Sequence, residues 1–208
     1  MQGRYARLEP LGPQHAAELY AASSGADNAT RFDYLSEYPP RRQADIQTWI
    51  EQVSRRDDPL FFAVIDRASG RCEGRQALMR IVPEHGVIEL GSIYWGPAIA
   101  RSRVATEAFY LHARYVFETL GYRRFEWKCN DRNAPSKRAA ARFGFTFEGL
   151  FRQHMWVKGA NRDTAWFSML EREWPAIGAE LERWLEPRNF DAAARQHGPL
   201  AARRLADR

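Results

Sequence analysis

Residues 88–121 constrain this chain more than any other stretch. Ile88, Leu90, Ile93, Tyr94 and Trp95 make a strand-like run that stops at Gly96-Pro97. Residues 100–103 are a short basic loop. Val104, Ala108, Leu111 and Tyr115 then recur at intervals of 4, 3 and 4, one face of a helix, which Val116 and Leu120 extend and Gly121 stops. Ser102 suits the N-cap, and Glu107 puts a carboxylate in the first turn, where the helix dipole favours it. A strand that runs through a loop into a helix leaves first-turn N–H groups pointing outward at the positive end of the dipole, an arrangement that binds phosphate. Arg101 and Arg103 add fixed positive charge there, in a form that suits phosphate oxygens. The competing reading is a unit that binds nothing and carries a solvated basic loop.

The rest of the chain supplies the neighbours of this unit. Residues 4–11 alternate as a first strand, and residues 13–23 read as a helix with Ala16, Leu19 and Tyr20 on one face. Residues 25–40 are loop-like but carry Phe32, Tyr34, Leu35 and Tyr38, and aromatics in a loop suit packing it down or walling a pocket. Ile46, Trp49, Ile50 and Val53 mark a second helix. Strands follow at 60–65, 76–82, 87–95 and 123–129, the last showing Phe125 and Trp127 between charged residues. Asn133 caps a short helix that Pro135 tolerates and Gly144 ends. Strands at 145–155 and 164–170, joined by a polar loop at 158–163, precede a last helix opened by Pro175. Three hairpin-type strands before βαβ-type units predict a mixed sheet.

Composition narrows the function classes. With 208 residues, 45% of them hydrophobic, the chain can bury a sizeable core. No run approaches ~18 apolar residues, and the start, MQGRYARLEP, lacks an apolar signal core. A cytoplasmic location without membrane contact is the expectation. Cys72 and Cys129 form no C-x-x-C pattern, so no metal cluster or disulfide framework is expected, and Cys129 reads as a buried strand residue rather than a nucleophile. The net charge of +5 fits an anionic partner. The arginines are dispersed, however, and residues 187–208 hold five Arg against two Asp, which argues against a dedicated nucleic-acid groove.

The element order, with the basic loop between the fourth strand and the third helix, resembles the GNAT N-acetyltransferase superfamily over residues 4–185. Within it, ATEA (105–108) and NAPSKRAAARFGF (133–145) resemble the branch holding the ribosomal-protein N-terminal acetyltransferases. The resemblance implies a single α/β domain over residues 1–186. Its central sheet would be mixed, mostly antiparallel, splayed at the fourth strand and flanked by helices, with residues 187–208 as a polar basic tail. The superfamily's pyrophosphate signature, Q/R-x-x-G-x-G/A, falls on Ala100, Arg101, Ser102, Arg103, Val104 and Ala105. Only Ala105 fits it, and Arg103 stands where a glycine would let backbone approach phosphate.

The resemblance further implies acetyl-CoA as donor and no metal. Pantetheine would bond backbone at Ile93 and Trp95, and the diphosphate would lie on Arg101, Ser102, Arg103, Val104, Ala105 and Thr106. Asn133 would hold the pantetheine arm with Ser136 beside it, although Asn133 as a plain N-cap and Ser136 as a local cap are sufficient readings by themselves. Amine acetylation needs a proton acceptor, oxyanion stabilisation and at times a thiolate donor. Glu89, eleven residues before Ala100, has the spacing of the general-base glutamate of histone-acetylating members; a structural carboxylate on the strand is the alternative. The position where relatives carry a general-acid tyrosine is Ala140. His154 and His112 are substitutes for that role, and Arg138 with Arg142 could reach the 3′-phosphate or form a solvated face. The expected function is acetyl transfer to a primary amine, of a small molecule or a protein N-terminus, in a monomer or homodimer. The alternatives are a noncatalytic acyl-CoA-binding module and a basic nucleic-acid-binding protein.

Overall fold

The computed structural model describes residues 1–203. Its strands are β1 (Ala6–Pro10), β2 (Leu60–Asp66), β3 (Cys72–Val82), β4 (Val87–Trp95), β5 (Arg124–Asn130), β6 (Thr146–Val157) and β7 (Ala160–Leu170). They form one seven-stranded sheet in the order β1-β2-β3-β4-β5-β7-β6. The helices are α1 (Ala16–Ser23), α2 (Gln43–Val53), α3 (Arg103–Arg114), α4 (Ala134–Arg142) and α5 (Trp174–Leu185). Contacts gather the chain into two units, one of residues 1–81 with 90–112, the other of residues 82–89 with 113 onward.

In the first unit β1, β2 and β3 pair antiparallel. The i, i+4, i+7 spacing of Ile46, Ile50 and Val53 turns one face of α2 inward, where it meets Leu19 of α1, Phe32, Ala63, Ile65 and Tyr94 in one apolar cluster. Ile50 is fully buried, and its truncation to alanine would cost roughly 2–5 kcal/mol. β3 begins at Cys72, four residues earlier than its sequence pattern indicates. Gly74 is the reason the pattern misses it: a Cβ there would stand 2.5 Å from the Tyr94 carbonyl oxygen, so the position is reserved for close backbone approach rather than for an alternating side chain. The segment read as loop at 25–40 opens with a 3₁₀ stretch, Ala26–Phe32.

In the second unit Val87, Ile88 and Glu89 pair in parallel with Arg124, Phe125 and Glu126, while β5, β7 and β6 are antiparallel. The sheet is therefore mixed and mostly antiparallel, as expected. The polar loop expected at 158–163 shrinks to Lys158 and Gly159, with φ of 50° and 73°. This is a tight hairpin turn that lets Asn161 and Arg162 join β7 despite their polarity. The helix read through Leu120 ends its regular course at Arg114 and closes with a wide π turn, Tyr115–Thr119. Beyond α5 the chain docks back: the Trp184 indole donates to Gln196 at 2.9 Å, and Ala202 is fully buried. Residues 204–208 of the expected tail lie outside the described residues.

Candidate active site

The loop after β4 has the shape its sequence suggests, with one relocation. The left-handed backbone falls on Arg101, at φ 62°, and not on Arg103, the position of the superfamily's glycine. Arg103 is already the first residue of α3 and its guanidinium lies 4.3 Å from the centroid of the Tyr5 ring. Ser102 is the cap: its Oγ accepts the Val104 N–H at 3.1 Å and its carbonyl the Thr106 N–H at 3.2 Å. Val104, Ala105 and Thr106 are buried, and the Ser102 N–H is itself spent on the Ile99 carbonyl at 3.1 Å, so what this turn presents to an incoming anion is the exposed Arg101 and the positive end of the helix. Glu107 does not serve the dipole. Its carboxylate accepts the backbone N–H groups of Arg4, Tyr5 and Ala6 at 2.8, 2.5 and 2.6 Å, clamping the start of β1.

β4 is not a regular strand where the pantetheine arm is expected. Ser92 has a φ of 48°, which kinks the strand just before Ile93. The Trp95 carbonyl accepts from Arg31 at 3.3 Å, and its indole donates to the Gln76 side-chain oxygen at 3.0 Å. An indole only donates, so this bond orients the amide. The Gln76 nitrogen then donates to Ala108 O and to His112 Nδ1, both at 2.9 Å. His112, placed on the sequence as a substitute acid, is fully buried with its Nε2 lacking a hydrogen-bond partner among the described residues. Burial drives its pKa down to about 3, with the N-terminal charge adding to the effect. It is neutral at physiological pH, and its Nδ1 already accepts a hydrogen bond.

A cavity of about 380 Å³ lies in the first unit against residues 37–41. Phe32, Tyr38, Trp49 and Tyr94 give it aromatic walls, and Glu37 and Arg75 meet there. The Arg75 guanidinium is 3% exposed and lies 4.4 Å from the Trp49 ring centroid. It pairs with the Glu37 carboxylate and donates to the Ser92 carbonyl. Burial pushes Arg75 down to about 9, still above neutral pH, so it remains a cation.

The second unit holds Glu89, 2% exposed. It is not a lone carboxylate on an apolar strand: Lys128 Nζ sits 3.0 Å from its Oε2 and 2.6 Å from Glu126. Glu126 also takes Arg124 at 2.7 Å, and Arg124 grips Glu148 through two nitrogens. Arg124, Glu126 and Lys128 share one face of β5 because strand side chains alternate. The outcome is a chain of alternating charge, Glu148, Arg124, Glu126, Lys128, Glu89, with Lys128 also 3.9 Å from the Trp166 ring centroid. Arg124 holds the Glu148 carboxyl below its ordinary range.

Asn133 caps α4 through Oδ1, which accepts the Ser136 N–H at 3.0 Å, and Ser136 Oγ accepts from the Trp127 indole at 2.9 Å. Ala140 is fully buried, so the position of the superfamily's tyrosine faces packed side chains. Arg142 leaves the expected phosphate face: its guanidinium lies 4.9 Å from the Trp184 ring centroid and burial lowers its pKa. Arg138 is exposed. His154 is exposed with Nδ1 3.0 Å from Thr164 Oγ1. Cys72 and Cys129 are buried, and burial raises both thiols, Cys72 to about 12. Arg75, Gln76, Glu126 and Lys128 went unread in the sequence. For the last two the signal was present, since the same alternation that marks β5 puts its charges on one face.

Three comparisons bear on this arrangement. Residues 6–146 match the family described as acetyltransferase (GNAT) domain. The crystal structure of a GCN5-related N-acetyltransferase from Brucella melitensis is 58% identical with a TM-score of 0.95, over 100% of this chain and 93% of that one. A probable acetyltransferase of the GNAT family from Chromobacterium violaceum is 39% identical with a TM-score of 0.78, over 84% of this chain and 87% of that one. An uncharacterized N-acetyltransferase p20 from Bacillus licheniformis is 28% identical over 70% of this chain and 82% of its own length.

Proposed function

The chain belongs to the GNAT acetyltransferase family, and from that premise we propose that it moves the acetyl group of acetyl-CoA onto a primary amine by direct attack in a ternary complex. The observation that carries the reading is the capped start of α3 directly after the kinked β4. Ser102 fixes the first turn, and Arg101 and Arg103 flank it, so the positive end of the helix dipole and two fixed cations converge where a diphosphate would lie. Arg103, at the position of the signature glycine, has its guanidinium drawn 4.3 Å from the Tyr5 ring centroid, and the left-handed backbone of the loop falls on Arg101 instead. Ile93 and Trp95 offer backbone for the pantetheine arm. Asn133 spends its oxygen on the α4 cap and keeps its amide nitrogen, with Ser136 fixed beside it by Trp127; their part in holding the donor rests on the family resemblance.

The acceptor is a small-molecule amine or a protein N-terminus, and the aromatic cavity suits an apolar body next to the amine. Glu89 takes the ammonium proton, directly or through a water. Three carboxylates share two cations in its charge chain, so one carboxylate can accept a proton while each cation keeps a partner. The amine nitrogen then bonds the thioester carbon as the carbon–sulfur bond breaks. Solvent protonates the leaving thiolate, because Ala140 supplies no donor.

Titration calorimetry with acetyl-CoA and with CoA, followed by turnover against amino acids, peptides and polyamines, tests this. Binding and turnover support the reading. No binding of either compound refutes the donor site, and binding without turnover would favour a noncatalytic acyl-CoA module.

A further inference from the structure

Arg75 contributes to neither face of the reaction as described, yet it is a buried cation with several partners. Its guanidinium reaches four parts of the fold at once. One nitrogen donates to the Ser92 carbonyl on β4, another meets the Glu37 carboxylate on the segment before α2, and its plane lies over Trp49 of α2 and, at 5.4 Å, Phe61 of β2. Glu37 is held in turn by Ser36 Oγ at 2.8 Å. Ser92 is the β4 residue with left-handed backbone, at φ 48°, a conformation unfavourable for a non-glycine residue unless its surroundings enforce it. The bond from Arg75 is such an enforcement, because it fixes the direction of the carbonyl on the kinked residue. A planar fork with several donors can hold a carbonyl and a carboxylate together; a single ammonium cannot do so equally well.

We propose that Arg75 is a positioning residue. It sets the β4 kink in the form the acyl donor needs, and its pair with Glu37 ties that kink to the segment lining the aromatic cavity. Occupation of the cavity and grip on the donor strand are then coupled through one guanidinium. Filling the cavity favours the closed Glu37–Arg75 pair, which holds Ser92, and thereby Ile93 and Trp95, in register for the pantetheine arm. The inference rests on β4 being the donor strand.

Three variants test it: Arg75→Met, Arg75→Lys and Glu37→Gln, each read by calorimetry with CoA and by hydrogen exchange. Arg75→Met should weaken CoA binding about tenfold or more, the range of a lost charge-assisted bond, and speed exchange at 92–95 and 33–42 ahead of the rest of the chain. Arg75→Lys should recover part of the affinity, which loss of packing alone would not explain. Glu37→Gln keeps an acceptor on an incompletely buried segment and decides the matter if Arg75→Met does not fold; it should speed exchange at 92–95 and weaken CoA measurably. Folded variants that bind CoA within twofold of wild type, with unchanged exchange at 92–95, overturn the proposal. Failure of the wild type itself to bind CoA would instead refute the donor reading, while the exchange result still tests the tie between Arg75 and Ser92.

Discussion

Lowering the pH should destabilise this protein through one histidine. His112 accepts at Nδ1 from Gln76, whose orientation is fixed by the Trp95 indole, and among the described residues its buried Nε2 meets no hydrogen-bond partner that would receive a second proton. Its folded pKa is about 3 against an ordinary 6.5. The sign follows from linkage: the unfolded chain takes up a proton as pH falls through 6.5, and the folded chain does not until about 3. The stabilisation is complete above 6.5 and is lost progressively below it. At about 1.4 kcal/mol per pK unit, the loss is roughly 1 kcal/mol at pH 5.5 and about 3 kcal/mol at pH 4.5. The perturbation that isolates it is His112→Gln, which keeps an oxygen to accept from Gln76 and cannot titrate. Urea unfolding of both proteins at pH 7.5, 6.5, 5.5 and 4.5 gives the difference free of the other histidines and the carboxylates. Wild type should start ahead, because the ring packs against Phe62 at 4.7 Å, and its lead should shrink by the amounts above. Parallel curves over that range would refute the argument.

Arg101→Gly should be more stable than Arg101→Ala by about 1 kcal/mol, since only glycine relaxes the left-handed turn. Both should weaken CoA by about 1.5–3 kcal/mol if the guanidinium meets a phosphate. Equal stability in urea unfolding, or unchanged calorimetry, would count against the respective part. Glu89→Gln should lower turnover by ~10²–10⁴ while leaving donor affinity in place. That defect should narrow as pH rises and the amine arrives deprotonated, and an unchanged pH–rate profile would return Glu89 to a structural role. Ala140→Tyr should cost about 1–3 kcal/mol by overpacking without raising turnover; a faster and equally stable variant would show that α4 has room for the missing acid.

Local chemistry made much of this legible in advance. Alternation and 3.6-residue spacing marked each strand and helix, and Asn133, Ser102 and the Gly-Pro break at 96–97 marked where they begin and end. What escaped depends on partners distant in sequence. Glu107 looks like a dipole residue until the start of β1 lies against it. Glu89 looks like an isolated base until β5 brings Lys128 beside it, and Arg142 looks solvated until Trp184 covers it. The left-handed position also escaped, because nothing in Ala-Arg-Ser-Arg says which residue will carry the positive φ. Arg75 stood between Gly74 and Gln76 on β3 with no local sign that its charge would be buried and answered by Glu37.

The two cysteines give the protein a practical property. Acetyl transfer from a thioester liberates a free thiol, and the simplest way to follow it is a dye that reacts with thiolates. Cys72 and Cys129 are within 5% of complete burial, and their protons are held more tightly than an ordinary thiol's. The native enzyme should therefore be almost invisible to such a dye, which then counts product alone. A slow rise of two equivalents per chain without substrate would instead time the opening of the fold.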